Sequence, residues 1–310
     1  MRFLLLFPGQ GSQRPGMAKD LAEAFPEAAD VFARADAALG TALSTLCFEG
    51  PADELTLTHN AQPALLAHGA AVWATVGPAM AGRVAAAAGH SLGEFTAWHA
   101  AGGLALEDAL RLVRRRGELM LQTGTERSGA MAAILGELQR PITEICAEAS
   151  TSGLVVLANY NAVEQIVISG EVAGVEAGMA LAKAAGAKRA VRLPVSGAFH
   201  SPLMAPAAEG LRAALAGTTW GAPQFPVFSN VTTDAVSDTA VAAGLLLEQL
   251  TSPVRWVEQV RAMAAAHPGA TFVEMGPGNV LTGLVKRLAP DHATMTCGTA
   301  DDVRALLALL

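Results

Sequence analysis

A chain of 310 residues, 52% hydrophobic and 16% charged, can fill a substantial core as one large domain or two modest ones. Its 21 Lys and Arg against 28 Asp and Glu give a net charge of −7, with no basic cluster beyond Arg114, Arg115 and Arg116, which argues against nucleic acid as a partner. Arg, Glu, Gly or Pro interrupts every Ala-rich stretch before it reaches the ~18 apolar residues of a membrane span, and Cys47, Cys146 and Cys297 are too far apart for a CxxC metal site and odd in number for a disulfide framework.

The opening MRFLLLF is too short and too weakly basic for a signal peptide and runs into a glycine turn, FPGQGSQ, so residues 2–7 are predicted as a first strand of a cytoplasmic protein. Apolar periodicity then predicts helices over 19–39 and 63–76, a strand over 84–89 and a helix over 107–122. The middle has a different rhythm: strand 130–135, helix 141–150, strands 154–159 and 165–169, helix 172–185, strand 188–193. This β-α-β-β-α-β order is that of a split βαβ, ferredoxin-like unit. Strands follow at 226–228 and 271–275. Strand and helix alternate from end to end, the pattern of an α/β protein around a largely parallel sheet. The expected organisation is a large domain of residues 1–127 and 196–310, a small inserted domain of 128–195, and a cleft between them.

Gly89-His90-Ser91-Leu92-Gly93 fits G-x-S-x-G at a junction from strand to helix, the context in which a serine nucleophile is lifted above a sheet edge. The glycines are needed because a strand turning sharply into a helix leaves no room for Cβ atoms. The N–H of Leu92, in the first turn of that helix, is then free to hold an oxyanion, and a backbone N–H near Gln10 in the first glycine turn could complete the hole from the same sheet edge. Without chemistry, the same strings are ordinary helix-leading turns. His90 reads as packing or turn support. Of the seven histidines, His59, His68, His99, His267 and His292 stand in no motif, whereas His200 occupies a Gly/Ser/Pro-bounded loop, where a base for Ser91 could sit. GPGNVLTG lacks the spacing of a nucleotide-binding loop and reads as a structural turn.

On the helix over 107–122, about 100° per residue gathers Leu106, Ala109, Leu110, Val113 and Met120 on one face, and Glu107, Arg111, Arg114, Arg115 and Glu118 on the other. Arg116 falls with the apolar group. An inward guanidinium requires an anion, and a structural Asp or Glu and a substrate carboxylate satisfy that requirement equally well.

FPGQGSQ, GHSLGEF, RRRGELM, VSGAFHSPLM and VEMGPGNVLTGL, in this order and spacing over essentially the whole chain, resemble the malonyl-CoA:acyl carrier protein transacylases of bacterial fatty acid synthesis. The resemblance implies an α/β-hydrolase-like large domain with a ferredoxin-like insert. It also implies Ser91 as nucleophile, His200 as its base, the N–H groups of Gln10 and Leu92 as oxyanion hole, Arg116 as holder of the malonyl carboxylate, and Gln249 as the residue whose backbone carbonyl orients the histidine. Gln62 and Asn159 match pocket-lining positions, and Lys188 and Arg189 lie where coenzyme A phosphates or an acidic carrier could dock. GAFH, close to the HAFH signature of malonyl-selective domains, favours malonyl over methylmalonyl. The resemblance further implies a ping-pong cycle, a monomer, an acyl carrier protein as partner, and no metal or redox cofactor. The alternatives are the transacylase subunit of malonate decarboxylase, a serine thioesterase or hydrolase of the same fold, and a non-catalytic carrier-binding module.

Overall fold

The computed structural model describes residues 1–195 and 197–310. Its strands are β1 (Phe3–Phe7), β2 (Val84–Gly89), β3 (Ala130–Leu135), β4 (Val155–Ala162), β5 (Gln165–Gly170), β6 (Arg189–Arg192), β7 (Val227–Phe228), β8 (Ala235–Val236), β9 (Thr271–Met275) and β10 (Thr294–Cys297). They form two sheets, a six-stranded one in the order β10-β9-β1-β2-β7-β8 and a four-stranded one in the order β4-β5-β3-β6.

The larger sheet is parallel except for the β7–β8 edge, as the alternation of strands and helices predicts. At its centre β1 is buried throughout. Phe3, Leu5 and Phe7 enter one hydrophobic cluster while Leu4 and Leu6 enter another, the period-two division of a strand covered on both faces. Phe7 lies beside Gly89 in the β1–β2 register, so the two glycine turns leave the sheet side by side.

The smaller sheet is antiparallel throughout. Ala130, Ala132, Ile134, Ile166 and Ile168 pack with side chains of the helices Ile142–Ala149 and Val172–Ala184. Met131 and Val167 point the other way and join the large sheet's main cluster together with Phe199 and Met204. The small unit therefore shares a face with the main core. The expected return to the large domain at residue 196 falls on Ser196, outside the described residues.

The helix expected over 19–39 is two helices, Lys19–Ala24 and Pro26–Leu39, parted at Phe25. Phe25 is extended (φ −132°, ψ 119°) because Pro26 follows it, and proline bars its predecessor from the helical region. The helix Thr58–Met80 overruns its expected span at both ends, carrying Pro63 and Pro78 within it. The helix Leu106–Glu126 runs close to it: a Cβ on Gly117 would stand 2.5 Å from the Cα of His59, so only glycine permits the approach. No helix among the described residues is long and apolar enough to cross a membrane.

Candidate active site

The turn after β2 is built on close backbone approach. A Cβ on Gly89 would lie 1.8 Å from the carbonyl carbon of Gly93, and one on Gly93 would lie 2.1 Å from the carbonyl oxygen of Phe7. The helix Gly93–Ala100 is thus seated directly on the ends of β1 and β2. Between the glycines, Ser91 takes a left-handed conformation (φ 53°), which costs a residue with a Cβ ~1–2 kcal/mol and needs outside support. Asn230 supplies it. Its Oδ1 accepts from the Ser91 N–H at 2.8 Å while its Nδ2 donates to the Gly89 carbonyl at 2.7 Å, clamping both sides of the turn.

His200, also left-handed (φ 56°), places Nε2 2.8 Å from Ser91 Oγ. Its Nδ1 lies 3.0 Å from the carbonyl oxygen of Gln249 and 3.2 Å from that of Ser252. Carbonyl oxygens only accept, so Nδ1 carries the proton and Nε2 is left bare to take one from the Ser91 hydroxyl. Burial, followed by the nearby Arg116 cation, pushes the imidazole down from 6.5 to about 3, which keeps it neutral.

The three consecutive arginines diverge in their surroundings. Arg115 is exposed, with Glu118 at 3.5 Å, and Arg114 is half-buried, donating to Asn60 Oδ1 at 2.7 Å rather than facing solvent alone. Arg116 is fully buried. Its Nη1 donates to Gln62 Oε1 at 2.7 Å, and its Nη2 donates to Gln249 Oε1 at 3.0 Å and to Ser91 Oγ at 3.1 Å. These partners are neutral, Nε has no partner, and Arg116 makes no ion pair among the described residues. Burial lowers its pKa to about 10, with Glu94 opposing, so it remains a cation at neutral pH.

Of the sequence-derived candidates, Ser91, His200, Gln249, Arg116 and Gln62 form one hydrogen-bonded constellation. The Leu92 and Gln10 N–H groups meet no acceptor among the described residues, and Gln10 Oε1 accepts from Thr58 Oγ1 at 2.8 Å. A cavity of about 350 Å³ is lined by Gln10, Thr58, Leu193, Pro194, Val195 and Phe199, the last being the chain neighbour of His200. Asn159 is buried on β4, but its side chain bonds to none of these groups. Asn161, two residues on, instead meets His90 Nε2 at 2.7 Å. Lys188 and Arg189 are exposed outside the constellation, Lys188 lining a separate hollow with Glu137, Glu164 and Arg287.

Four residues in or beside the constellation escape sequence reasoning: Asn230, Ser252 and Glu94 within it, and Asn161 behind it at His90. Glu94 is buried, and its Oε2 accepts from Gln249 Nε2 at 2.7 Å and from the Asn230 N–H at 3.1 Å. Burial lifts its carboxyl to about 7 against the pull of Gln249, Asn230 and Arg116. The available signal was its place in the first turn of a helix whose other residues are almost all small or apolar, leaving it no solvated face. No cluster of three or more metal-ligating side chains occurs among the described residues.

Residues 4–299 match the acyl transferase domain family. A malonyl CoA-acyl carrier protein transacylase of Bacillus subtilis is 47% identical over 93% of this chain and 90% of its own length. The chain belongs to the malonyl CoA-acyl carrier protein transacylase family. Its fold agrees with that of the acyl-carrier-protein S-malonyltransferase of Bartonella henselae, with a TM-score of 0.94 at 44% identity over 100% of this chain and 99% of the other. It agrees equally with a malonyl-transacylase solved in complex with its type II PKS acyl-carrier protein, with a TM-score of 0.95 at 40% identity over 100% of both chains. Like other members of the transacylase family, the protein is an acyltransferase.

Proposed function

We propose that the protein transfers a malonyl group from malonyl-CoA to the pantetheine thiol of an acyl carrier protein, through an ester on Ser91. The observation that carries this reading is Arg116, a buried cation with only neutral protein partners, 3.1 Å from the nucleophile oxygen. A malonyl thioester brings the missing anion in the form of a planar carboxylate that a guanidinium grips with two parallel hydrogen bonds.

In the first half-reaction Ser91 Oγ attacks the thioester carbonyl as its proton passes to His200 Nε2, and the N–H groups of Leu92 and Gln10 hold the tetrahedral oxyanion. The carbon–sulfur bond then breaks and the proton moves from His200 to the departing coenzyme A sulfur. In the second, His200 takes the proton of the carrier thiol, the sulfur attacks the ester carbonyl, and the carbon–oxygen bond breaks as Oγ regains its proton. The Gln249 and Ser252 carbonyls hold the imidazole tautomer throughout. They steady the imidazolium less than a carboxylate would, which suffices for an activated thioester. Gln62 orients Arg116, the cavity beside Gln10 and Phe199 is the approach for pantetheine, and Asn159, Lys188 and Arg189 are outer contacts for coenzyme A or an acidic carrier.

On the same reading the six-stranded sheet and its helices are an α/β-hydrolase-like domain of residues 1–127 and 196–310. Residues 128–195 are a ferredoxin-like insert, supported by the strand order β4-β5-β3-β6. Intact-protein mass spectrometry after incubation with malonyl-CoA tests the proposal. The wild-type chain gains one malonyl group and Ser91→Ala gains none. An adduct that persists on the folded Ser91→Ala protein would remove Ser91 from its role.

A further inference from the structure

The side-chain amide of Gln249 stands between the buried Arg116 cation and the buried Glu94 carboxyl. The amide turns its NH2 end to Glu94, where Nε2 donates at 2.7 Å to Oε2 and at 3.1 Å to the Ser91 carbonyl, two acceptors that hold this orientation, and an ionised Glu94 leaves no other. The oxygen end is thereby left to Arg116 Nη2 at 3.0 Å. The backbone carbonyl of the same residue receives the His200 proton. Glu94 Oε2 also accepts from the Asn230 N–H, and Asn230 clamps Gly89 and Ser91. Glu94 sits in the first turn of the helix Gly93–Ala100, where the helix field favours a negative charge. It makes no ion pair with Arg116 among the described residues, the amide lying between them.

We propose that Glu94 is a positioning residue that sets the malonyl preference of the site, by fixing which end of the Gln249 amide faces Arg116. This inference rests on the reading of Arg116 as holder of the acyl carboxylate. A glutamine at position 94 could donate to Gln249 Oε1 as readily as accept from Nε2. The flipped amide would then set donors against the guanidinium and turn it away from the substrate. Acetyl transfer does not use the guanidinium fork and would be spared that part of the loss.

The test is the ratio of malonyl to acetyl kcat/KM, with the holo acyl carrier protein as acceptor, in wild type, Glu94→Gln, Gln249→Met and the double variant. In Glu94→Gln the ratio is expected to fall about tenfold, and in Gln249→Met by a similar factor. In the double variant it should fall no further than in Gln249→Met alone, since Glu94 acts through the amide. Independent losses that multiply in the double variant would overturn the proposal, as would a wild-type ratio in folded Glu94→Gln. If Glu94→Gln does not fold, Gln249→Met still decides, because a wild-type ratio there leaves the amide without a role in selectivity. A wild-type protein that is malonylated on Ser91 but shows one of these results refutes the role of Glu94 alone. A wild-type protein that takes no malonyl group refutes the underlying reading and the inference with it.

Discussion

The two sheets divide the labour of the molecule unequally. Every group in the Ser91 constellation comes from the ends of the parallel sheet or from segments packed on it, while the antiparallel sheet contributes none. The smaller sheet nevertheless touches the site from behind at two places. Asn161 on β4 meets His90, the chain neighbour of Ser91, and β4 pairs with Val254 through the Tyr160 N–H to its carbonyl at 2.9 Å and the Val254 N–H to the Ala158 carbonyl at 2.8 Å. Val254 closes the segment whose Gln249 and Ser252 carbonyls hold His200. One sheet thus carries the Ser91 constellation, and the other braces the backbone beside it.

The sharpest way to break this division is at the base. His200→Ala should lower malonyl transfer by ~10³-fold or more with little change in thermal stability, read by steady-state kinetics, because only binding and oxyanion stabilisation remain. The same residue predicts a pH profile. A histidine held at about 3 stays neutral as pH falls from 8 to 5, so acetylation by the free enzyme, which does not use the Arg116 fork that Glu94 governs through Gln249, should not show the ~30-fold loss that an ordinary histidine would impose. In folding the sign is the reverse. The unfolded chain binds the proton below 6.5 and the folded chain does not, so this group costs stability progressively as pH falls from 6.5 toward 3. A full loss of acetyl transfer at pH 5 in a folded protein would contradict the assignment.

Next in size is Arg116→Ala. Malonyl transfer is expected to fall ~100-fold while acetyl transfer falls far less or rises, and the His200 profile should shift to higher pH as a nearby cation is lost. Arg115→Ala, on the exposed face of the same helix, should leave both substrates unchanged. Equal loss of both substrates in folded Arg116→Ala would make the arginine structural. The smallest effect should come from the bracing sheet: Asn161→Ala removes one hydrogen bond to His90, costing ~1 kcal/mol of stability, and lowers kcat/KM less than about tenfold without altering the malonyl-to-acetyl ratio. A changed ratio there would mean that the smaller sheet also takes part in selection.

The presenting sheet is far more legible in sequence than the bracing contacts. The inward turn of Arg116 follows from helical periodicity, and the seat of Ser91 follows from glycines whose positions admit no Cβ. Asn230 is hidden because it stands in no motif and its partners lie 139 and 141 residues away in sequence, brought together only by the sheet. Glu94 stands inside the serine motif, yet a glutamate on a helix is ordinarily solvated, and only the packed surroundings of that helix expose it as buried. Asn159 and Asn161 differ by two positions on one strand. Periodicity cannot tell which of them reaches the site, and register shifts in the β4–β5 pairing fall among these residues. The break at Phe25 was readable from Pro26, whereas two-residue strands such as β8 carry too few residues for any period.

The unpaired guanidinium of Arg116 also bears on how the protein should melt. A buried cation with only neutral hydrogen-bond partners holds the folded chain below its attainable stability, and an acyl carboxylate tethered to Ser91 meets that cation only when the chain is folded. Thermal denaturation then becomes an assay of acyl choice that needs no turnover. The malonyl ester on Ser91 should raise Tm by several degrees, the acetyl ester should raise it little, and in Arg116→Ala the two esters should melt alike.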